Sequence, residues 1–237
     1  MTRLVLLHGC TQTSACWGPA GEGLRAAGHE VVALDLPGHG SRSADELDLP
    51  AGAPVLAEAG GPGTWVGYSL GARWALAVAL ARPDLVRSLV LVGGTAGVED
   101  AEERARRRAE DEDRAASLEA VGVDAFVAAW VALPLFAGIP PEHRCDEARR
   151  SNTVTGLASS LRLAGQGSVA PMWDRLGEVR VPVLVVTGER DERYTDLGRR
   201  LVATLPDASP AVVPGAGHAA HLERPAAFLD AVLPWLR

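Results

Sequence analysis

Short apolar runs rich in β-branched residues recur along the chain and alternate with longer segments of mixed polarity. Several runs are apolar almost without interruption, which is typical of parallel strands covered by helices on both faces. The segments between them are mostly long enough to cross back as helices. The pattern predicts an α/β fold with a mostly parallel central sheet flanked by helices. The predicted strands cover residues 3–7, 30–34, 64–68, 88–92, 181–187 and 210–213.

The regular alternation stops between about residues 97 and 171. Residues 102–130 have helical composition, and no strong strand run occurs in this interval. We therefore expect a helical cap inserted into a single domain that covers residues 1–237. The first part of the cap, residues 99–108, is dense in both signs of charge, which is typical of a solvated helix face stabilised by neighbouring pairs.

Composition and charge narrow the class of protein. The 237 residues can bury one substantial core, and a hydrophobic share of 47% with 22% charged residues excludes a largely disordered or fibrous chain. The net charge of -7 disfavours a nucleic-acid surface, which needs basic side chains to displace phosphate counterions. A small-molecule substrate is the better expectation.

The distribution of apolar residues also indicates where in the cell the protein is located. The chain has no apolar stretch of about 18 residues, and its start leads into a strand without the apolar region of a signal peptide. We expect a cytoplasmic protein that does not bind membranes.

Three cysteines, Cys10, Cys16 and Cys145, are odd in number and lack paired metal-ligand spacing. They predict free thiols, with neither a disulfide framework nor a metal site.

The segment Gly67-Tyr68-Ser69-Leu70-Gly71 fits the pattern Gly-x-Ser-x-Gly where a predicted strand gives way to a helical sequence. At such an elbow a serine occupies a strained turn, and glycines on both sides allow close backbone approach. A serine hydroxyl is a poor nucleophile or base at neutral pH, so it needs a histidine and an orienting carboxylate. Ser69 is therefore the candidate catalytic hydroxyl.

Two later segments supply those partners. Asp191 follows the predicted strand at 181–187, and His218 follows the strand at 210–213, which gives the order Ser, Asp, His expected for this elbow. Glu189 is a weaker rival to Asp191. His221 is the main rival to His218, but we expect it to cap or pack against a helix that begins near Pro225.

An oxyanion hole is expected beside Ser69. One donor is the amide of Leu70, directly after the serine, and the other comes from the loop after the first strand. Cys10 is the candidate for that second donor through its backbone N–H. His8 is expected to shape the loop rather than transfer protons.

Together, these motifs resemble the α/β-hydrolase superfamily over essentially the whole chain. A narrower resemblance is to the 2-succinyl-6-hydroxy-2,4-cyclohexadiene-1-carboxylate synthases of menaquinone biosynthesis, lyases that release pyruvate. The motifs that carry it are residues 68–73, Glu103-Arg104 with Arg107 and Asp111, Trp130 with Pro134-Leu135-Phe136, Arg150-Ser151-Asn152, and residues 188–194.

The narrower resemblance implies a pocket for a substrate with three carboxylates. The residues that the resemblance assigns to this pocket are Tyr68, Arg73, Arg107, Trp130 and Arg150. Guanidinium groups suit this role because they hold carboxylates by paired, charge-assisted hydrogen bonds. The run Arg106-Arg107-Arg108 leaves the alignment of this part uncertain by one residue.

Two enzyme activities remain open from the sequence. The first is elimination of pyruvate from an enolpyruvyl cyclohexene carboxylate, with Ser69 as a base and no cofactor. The second is carboxylic ester hydrolysis through an acyl-Ser69 intermediate, since the same triad serves both. A non-catalytic binding protein is disfavoured by the complete Ser-Asp-His set. The oligomeric state is left undecided.

Overall fold

A computed structural model describes residues 1–236 of the chain. Within them, six strands form one sheet in the order β2-β1-β3-β4-β5-β6, and every neighbouring pair is parallel. The predicted α/β class with its parallel central sheet is confirmed. The strands are β1 (Arg3–Leu7), β2 (Glu30–Leu34), β3 (Gly63–Tyr68), β4 (Val86–Val92), β5 (Val183–Gly188) and β6 (Ala208–Val213).

Helices cover both faces of the sheet. Within residues 1–236 they are α1 (Gly18–Ala26), α2 (Leu49–Gly60), α3 (Leu70–Ala81), α4 (Ala101–Val131), α5 (Asp146–Arg150), α6 (Val154–Ala164), α7 (Glu192–Thr204), α8 (Ala220–Glu223) and α9 (Pro225–Val232). Short 3-10 turns lie at Ser14–Trp17, Gly40–Arg42, Pro134–Phe136, Pro141–His143 and Trp173–Glu178. None of these helices combines the length and apolar character needed to cross a membrane.

Side chains of each strand alternate between two apolar cores. On β1, Val5 and Leu7 pack in the cluster that contains the apolar residues of α2 and α3. Leu4 and Leu6 pack in the opposite cluster, with residues of α1 and α9. Every residue of the inner strands β3 and β5 is buried, whereas Val212 on the edge strand β6 is 50% exposed. Burial on both faces explains the uninterrupted apolar runs of the inner strands.

The bounds of β1 and β2 match the sequence prediction, and those of the other four strands differ from it by one or two residues. The fifth strand begins at Val183 rather than 181, since Pro182 has no N–H to donate to the sheet and contributes its carbonyl to the Leu89 amide instead, at 2.9 Å. The sixth begins at Ala208 because Ala208 and Ser209, which precede the predicted run, also pair with β5. Backbone pairing therefore extends beyond the apolar positions that the sequence pattern detects.

The region predicted as a cap lies between β4 and β5 and contains α4, α5 and α6. The chain leaves and returns at one place, where Gly97 packs against Pro171 and the Met172 amide donates to the Ala96 carbonyl at 2.7 Å. The helical backbone of α4 is interrupted at Gly122, with φ 78° and ψ 170°. A separate apolar cluster joins α4 to α6, and its buried members are Ala115, Leu118, Phe126, Leu157, Ala158 and Leu161.

Because this cluster is separate from the two sheet cores, we expect α4 and α6 to loosen together. Leu118→Ala should cost about 2–5 kcal/mol, the usual effect of removing a buried leucine side chain. Amide hydrogen exchange should accelerate in α4 and α6 and remain slow in β3 and β5.

Val121→Ala is the matched control, since Val121 lies on the same helix and is 53% exposed. It should change the free energy of unfolding by less than about 0.5 kcal/mol. Equal acceleration of exchange in the cap and the sheet of Leu118→Ala would show that they unfold together.

Candidate active site

The turn between β3 and α3 carries Ser69 with φ 52° and ψ -106°. This region is uncommon for a residue with a Cβ and stores backbone strain. The turn closes because two glycines leave room: a Cβ on Gly67 would lie 2.2 Å from the Gly71 carbonyl oxygen, and one on Gly71 would lie 2.2 Å from the Leu7 carbonyl oxygen. The elbow therefore presents the Ser69 hydroxyl at the carboxyl end of β3.

Ser69, His218 and Asp191 form a continuous hydrogen-bonded chain. The distance from Ser69 Oγ to His218 Nε2 is 3.1 Å, and that from His218 Nδ1 to Asp191 Oδ2 is 2.7 Å. With the imidazole neutral, Nδ1–H donates to Asp191 and Nε2 accepts from the serine hydroxyl. His218 and Asp191 are 3% and 8% exposed. This geometry permits Ser69 to lose its proton to His218.

Asp191 is oriented by its second oxygen. Oδ1 accepts from the Tyr194 amide at 3.3 Å and so caps the N-terminus of α7. Glu189, the rival carboxylate, accepts instead from the Gly215 amide at 2.8 Å. His221 packs its ring against Tyr68 and Trp17, with a further edge contact to Phe228 of α9. The expectation that His221 packs against the helix beginning at Pro225 is confirmed.

The amides of Leu70 and Cys10 lie at the same end of the sheet as Ser69. Leu70 begins α3, and within residues 1–236 neither its N–H nor that of Cys10 has an acceptor. The loop around Cys10 is closed by Gly9 and Gln12: the Gly9 amide donates to Gln12 Oε1 at 2.8 Å, and the Gln12 amide donates to the Gly9 carbonyl at 3.2 Å. The role of the two amides as an oxyanion hole stays a prediction that this arrangement supports.

Neighbouring groups hold that loop without taking part in proton transfer. His8 Nε2 accepts from the Leu36 amide at 3.1 Å, and Nδ1 donates to the Gly9 carbonyl at 2.8 Å. Burial lowers the pKa of His8 to about 3, so its ring is neutral at physiological pH. Burial also raises the pKa of the Cys10 thiol to about 11. The loop therefore contributes a backbone donor, and its thiol is protonated at neutral pH.

A cavity of about 260 Å³ opens onto Ser69 between the sheet and the cap. Tyr68 and Trp130, two of the residues assigned to the pocket by resemblance, line it. Trp130 stacks on Phe126 with ring centroids 5.9 Å apart, and it contacts Phe136 at 5.8 Å. Five arginines also line the cavity, namely Arg73, Arg107, Arg114, Arg149 and Arg193.

Arg73 and Arg107 lie where the resemblance implies. Arg73, one helical turn after Ser69, is 6% exposed, and its Nη1 donates to the Ala164 carbonyl at 2.7 Å. Arg107 pairs with Glu103 at 3.1 Å and with Glu110 at 3.4 Å while lining the cavity. Its neighbour Arg106 is exposed on the outer face of α4. Within the run 106–108, Arg107 is the residue that lines this cavity, and its role in binding substrate stays a prediction.

Arg150 does not lie in the pocket, and its assignment there was wrong. Its side chain is 47% exposed and its nearest carboxylate, Asp124, is 3.9 Å away. Arg149 lines the cavity instead and is 1% exposed. The two residues are neighbours on α5, where consecutive side chains point about 100° apart. A left-handed Cys145, with φ 58°, sets where α5 begins and thus which arginine faces inward.

Comparison with known proteins identifies the family of this chain. A family model described as the alpha/beta hydrolase family matches residues 4–231. The chain belongs to the alpha/beta hydrolase family. Among its relatives is a 2-succinyl-6-hydroxy-2,4-cyclohexadiene-1-carboxylate synthase of Escherichia coli O1:K1, 31% identical over 242 residues, which are 99% of this chain and 93% of the relative.

Two further relatives carry related names. A Bacillus subtilis protein named provisionally for the same synthase is 36% identical over 168 residues, 69% of this chain, and the match spans 61% of that relative. The structure of MenH from S. aureus matches with a TM-score of 0.89 and 27% identity over 99% of this chain and 93% of that one. The resemblance to these synthases inferred from the sequence motifs is confirmed. An esterase from Thermogutta terrifontis, at TM-score 0.82 and 22% identity, shares the fold.

Several pocket residues of this alpha/beta hydrolase were missed from the sequence. Besides Arg149, they include Asp111, which pairs with Arg114 at 2.8 Å and whose pKa is raised by burial. Tyr194 contacts the His218 ring, with centroids 4.2 Å apart, and its hydroxyl accepts from Gln166 Nε2 at 3.0 Å. Asp111 and Tyr194 both stand in the motifs that carry the resemblance, so the signal was present without an assigned role.

Three buried histidines of this alpha/beta hydrolase predict how its stability depends on pH. Burial lowers the pKa of His8 to about 3, of His39 to about 4 and of His221 to about 3, from an ordinary value of 6.5. Between about pH 3 and pH 6.5 the unfolded chain therefore binds more protons than the folded one. The free energy of unfolding should rise with pH across this window, and these groups should add no further change above it.

Urea unfolding between pH 5 and pH 7.5 measures this slope. His221→Phe keeps an aromatic ring against Tyr68 and removes one titrating group, so the slope near pH 5 should fall by about one proton. An unchanged slope in that variant would contradict the assignment of His221 as a buried neutral ring.

Proposed function

We propose that this enzyme eliminates pyruvate from an enolpyruvyl cyclohexene carboxylate and gives 2-succinyl-6-hydroxy-2,4-cyclohexadiene-1-carboxylate. The reaction requires no cofactor, and Ser69, His218 and Asp191 act as its catalytic triad. The names of the relatives from Escherichia coli and S. aureus support this assignment. A small, highly charged substrate of this kind also fits the cytoplasmic location that we expected from the sequence.

The charge of the pocket is the observation that carries the proposal. Five guanidinium groups line a cavity whose lining carboxylates are Asp111 and Asp191, in a chain whose net charge is -7. Each guanidinium has five N–H donors. Arg73 uses one of its own on the Ala164 carbonyl, and Arg107 uses two, on Glu103 and Glu110. Donors are therefore left to hold a substrate with three carboxylates.

Proton abstraction begins at the triad. His218 takes the proton of Ser69, and the Ser69 oxygen removes a proton from the carbon next to the succinyl ketone. The released electron pair moves to the ketone oxygen as an oxyanion. Asp191, at 2.7 Å from His218 Nδ1, stabilises the imidazolium that forms.

The second half of the reaction breaks a carbon–oxygen bond. The N–H groups of Leu70 and Cys10 stabilise the oxyanion by hydrogen bonds that are preorganised by α3 and by the loop after β1. When the electron pair returns through the ring, the bond to the enolpyruvyl oxygen breaks. The leaving group takes up the proton held by His218 and becomes pyruvate, which returns the imidazole to its neutral form. Ser69 carries no covalent intermediate.

Ester hydrolysis is the rival function. It uses the same triad, with Ser69 attacking an ester carbonyl and the same amides stabilising the tetrahedral oxyanion. A neutral ester brings no carboxylate to the arginines of the pocket, whereas a polycarboxylate can bind them. The two functions are therefore separated by the substrate and not by the triad.

The decisive assay gives the enzyme each substrate separately. Wild-type enzyme should release pyruvate from the enolpyruvyl precursor with a kcat/KM far above that for short p-nitrophenyl esters, measured as nitrophenolate. In Ser69→Ala, both activities should fall to the background rate measured without enzyme. Rapid ester turnover without pyruvate release would overturn the elimination and favour the hydrolase.

Three arginine variants test recognition of the carboxylates. Arg73→Ala should lower kcat/KM for pyruvate release about 10- to 100-fold, since a hydrogen bond to a charged group contributes about 1.5–3 kcal/mol. It should spare hydrolysis of a neutral ester. Arg150→Ala is the matched control outside the pocket and should change neither activity.

Arg149→Ala should behave differently from both. Arg149 Nη1 donates to the Cys10 carbonyl at 3.3 Å and also to Thr11 Oγ1, so it supports the loop that holds the predicted oxyanion donor. Its removal should lower pyruvate release and ester hydrolysis together. Equal losses in Arg73→Ala and Arg150→Ala would count against the pocket described here.

A further inference from the structure

A second buried carboxylate lies beside the catalytic histidine without touching it. Glu223, the last residue of α8, is 7% exposed. Its Oε2 accepts from the Gly217 amide at 2.7 Å, and its Oε1 accepts from the Ala219 amide at 3.1 Å. These two residues flank His218, so one carboxylate binds the backbone on both sides of it.

Such a clamp constrains where the imidazole can lie. His218 must reach Ser69 Oγ with Nε2 and Asp191 Oδ2 with Nδ1 at once, and its backbone follows β6 through a loop that contains two glycines, Gly215 and Gly217. Glycines leave a loop conformationally free unless other contacts fix it. Charge-assisted hydrogen bonds from buried amides to a carboxylate are short and strong enough to supply that fixation.

The cap packs directly on the same carboxylate. A Cβ on Gly138, two residues after the 3-10 turn Pro134–Phe136, would lie 2.2 Å from Glu223 Oε2. A second cap residue, His143, donates from Nδ1 to the Leu222 carbonyl at 2.8 Å, one residue before Glu223. The cap therefore contacts α8 at two places, and at one of them it lies directly beside the carboxylate.

We propose that Glu223 is a positioning residue: its carboxylate clamps the Gly217 and Ala219 amides so that His218 stays aligned between Ser69 and Asp191, and the cap at Gly138 holds that clamp in place. The inference rests on the proposed catalytic role of His218. It does not depend on which substrate Ser69 acts on, because elimination and ester hydrolysis both need the aligned histidine.

The isosteric variant Glu223→Gln tests the clamp. One of its two terminal atoms is an N–H donor and faces an amide N–H, so one of the two hydrogen bonds is lost. We expect kcat to fall about tenfold or more for pyruvate release and for p-nitrophenyl ester hydrolysis alike, with KM nearly unchanged. Displacement of a reacting group by about 1 Å can cost up to about a hundredfold.

Glu189→Gln is the matched control. Glu189 accepts from the Gly215 amide of the same loop but does not flank His218, so kcat should stay at the wild-type value. The low-field proton resonance of the hydrogen bond from His218 Nδ1 to Asp191 reports alignment directly. It should shift or broaden in Glu223→Gln and keep its wild-type position in Glu189→Gln.

A variant in the cap tests the same clamp without altering the carboxylate. Gly138→Ala should displace Glu223 and reproduce the loss of kcat and the change in the resonance. Gly177→Ala, where a Cβ would meet nothing within 4 Å, should leave both unchanged. Circular dichroism of all four variants establishes that they are folded at the assay temperature.

The outcomes separate this inference from the proposed function. Loss of ester hydrolysis and a shifted resonance in Glu223→Gln would support the clamp even if the wild-type enzyme released no pyruvate. A lower melting temperature with unchanged kcat and an unchanged resonance would overturn it, because Glu223 would then stabilise the fold alone. Wild-type behaviour of Gly138→Ala would overturn the part assigned to the cap.

Discussion

The turn at Ser69 can form only where the backbone at Gly67 and Gly71 comes closer than any Cβ would allow. It places a residue with φ 52° between the buried strand β3 and the helix α3. Because β1, β3, β5 and β6 all run parallel, the loops that follow them meet at the same end of the sheet. The loop of Cys10, the elbow, Asp191 and His218 converge there, each from a different strand.

The charge of the pocket is the feature that favours the proposed elimination over general ester hydrolysis. The protein carries a net charge of -7, yet its cavity gathers guanidinium groups from α3, α4 and α5 beside Ser69. Concentrating cations in a sheltered cleft of an acidic protein strengthens attraction for an anion and disfavours neutral ligands. The cap supplies Arg107 and Arg149, so the proposed recognition of carboxylates depends on the cap.

Sequence alone predicted the parts of this site that depend on local motifs. The Gly-x-Ser-x-Gly segment and the order of Asp191 and His218 were enough to choose the residues that the structure brings within hydrogen-bonding distance. The choice between Arg149 and Arg150 was beyond it, because the inward face of a five-residue helix depends on the backbone at Cys145. Glu223 was missed because its proposed role depends on hydrogen bonds from two backbone amides. Such backbone contacts cannot be identified from residue types alone.

The central claim is that Ser69 acts here as a base and not as a nucleophile. Rapid quenching during turnover of the enolpyruvyl precursor, followed by intact-protein mass measurement, tests it most directly. We expect pyruvate to accumulate over many turnovers while the intact protein keeps the mass of the chain with an unmodified Ser69. An adduct on Ser69 that forms and decays at the rate of pyruvate release would contradict the account.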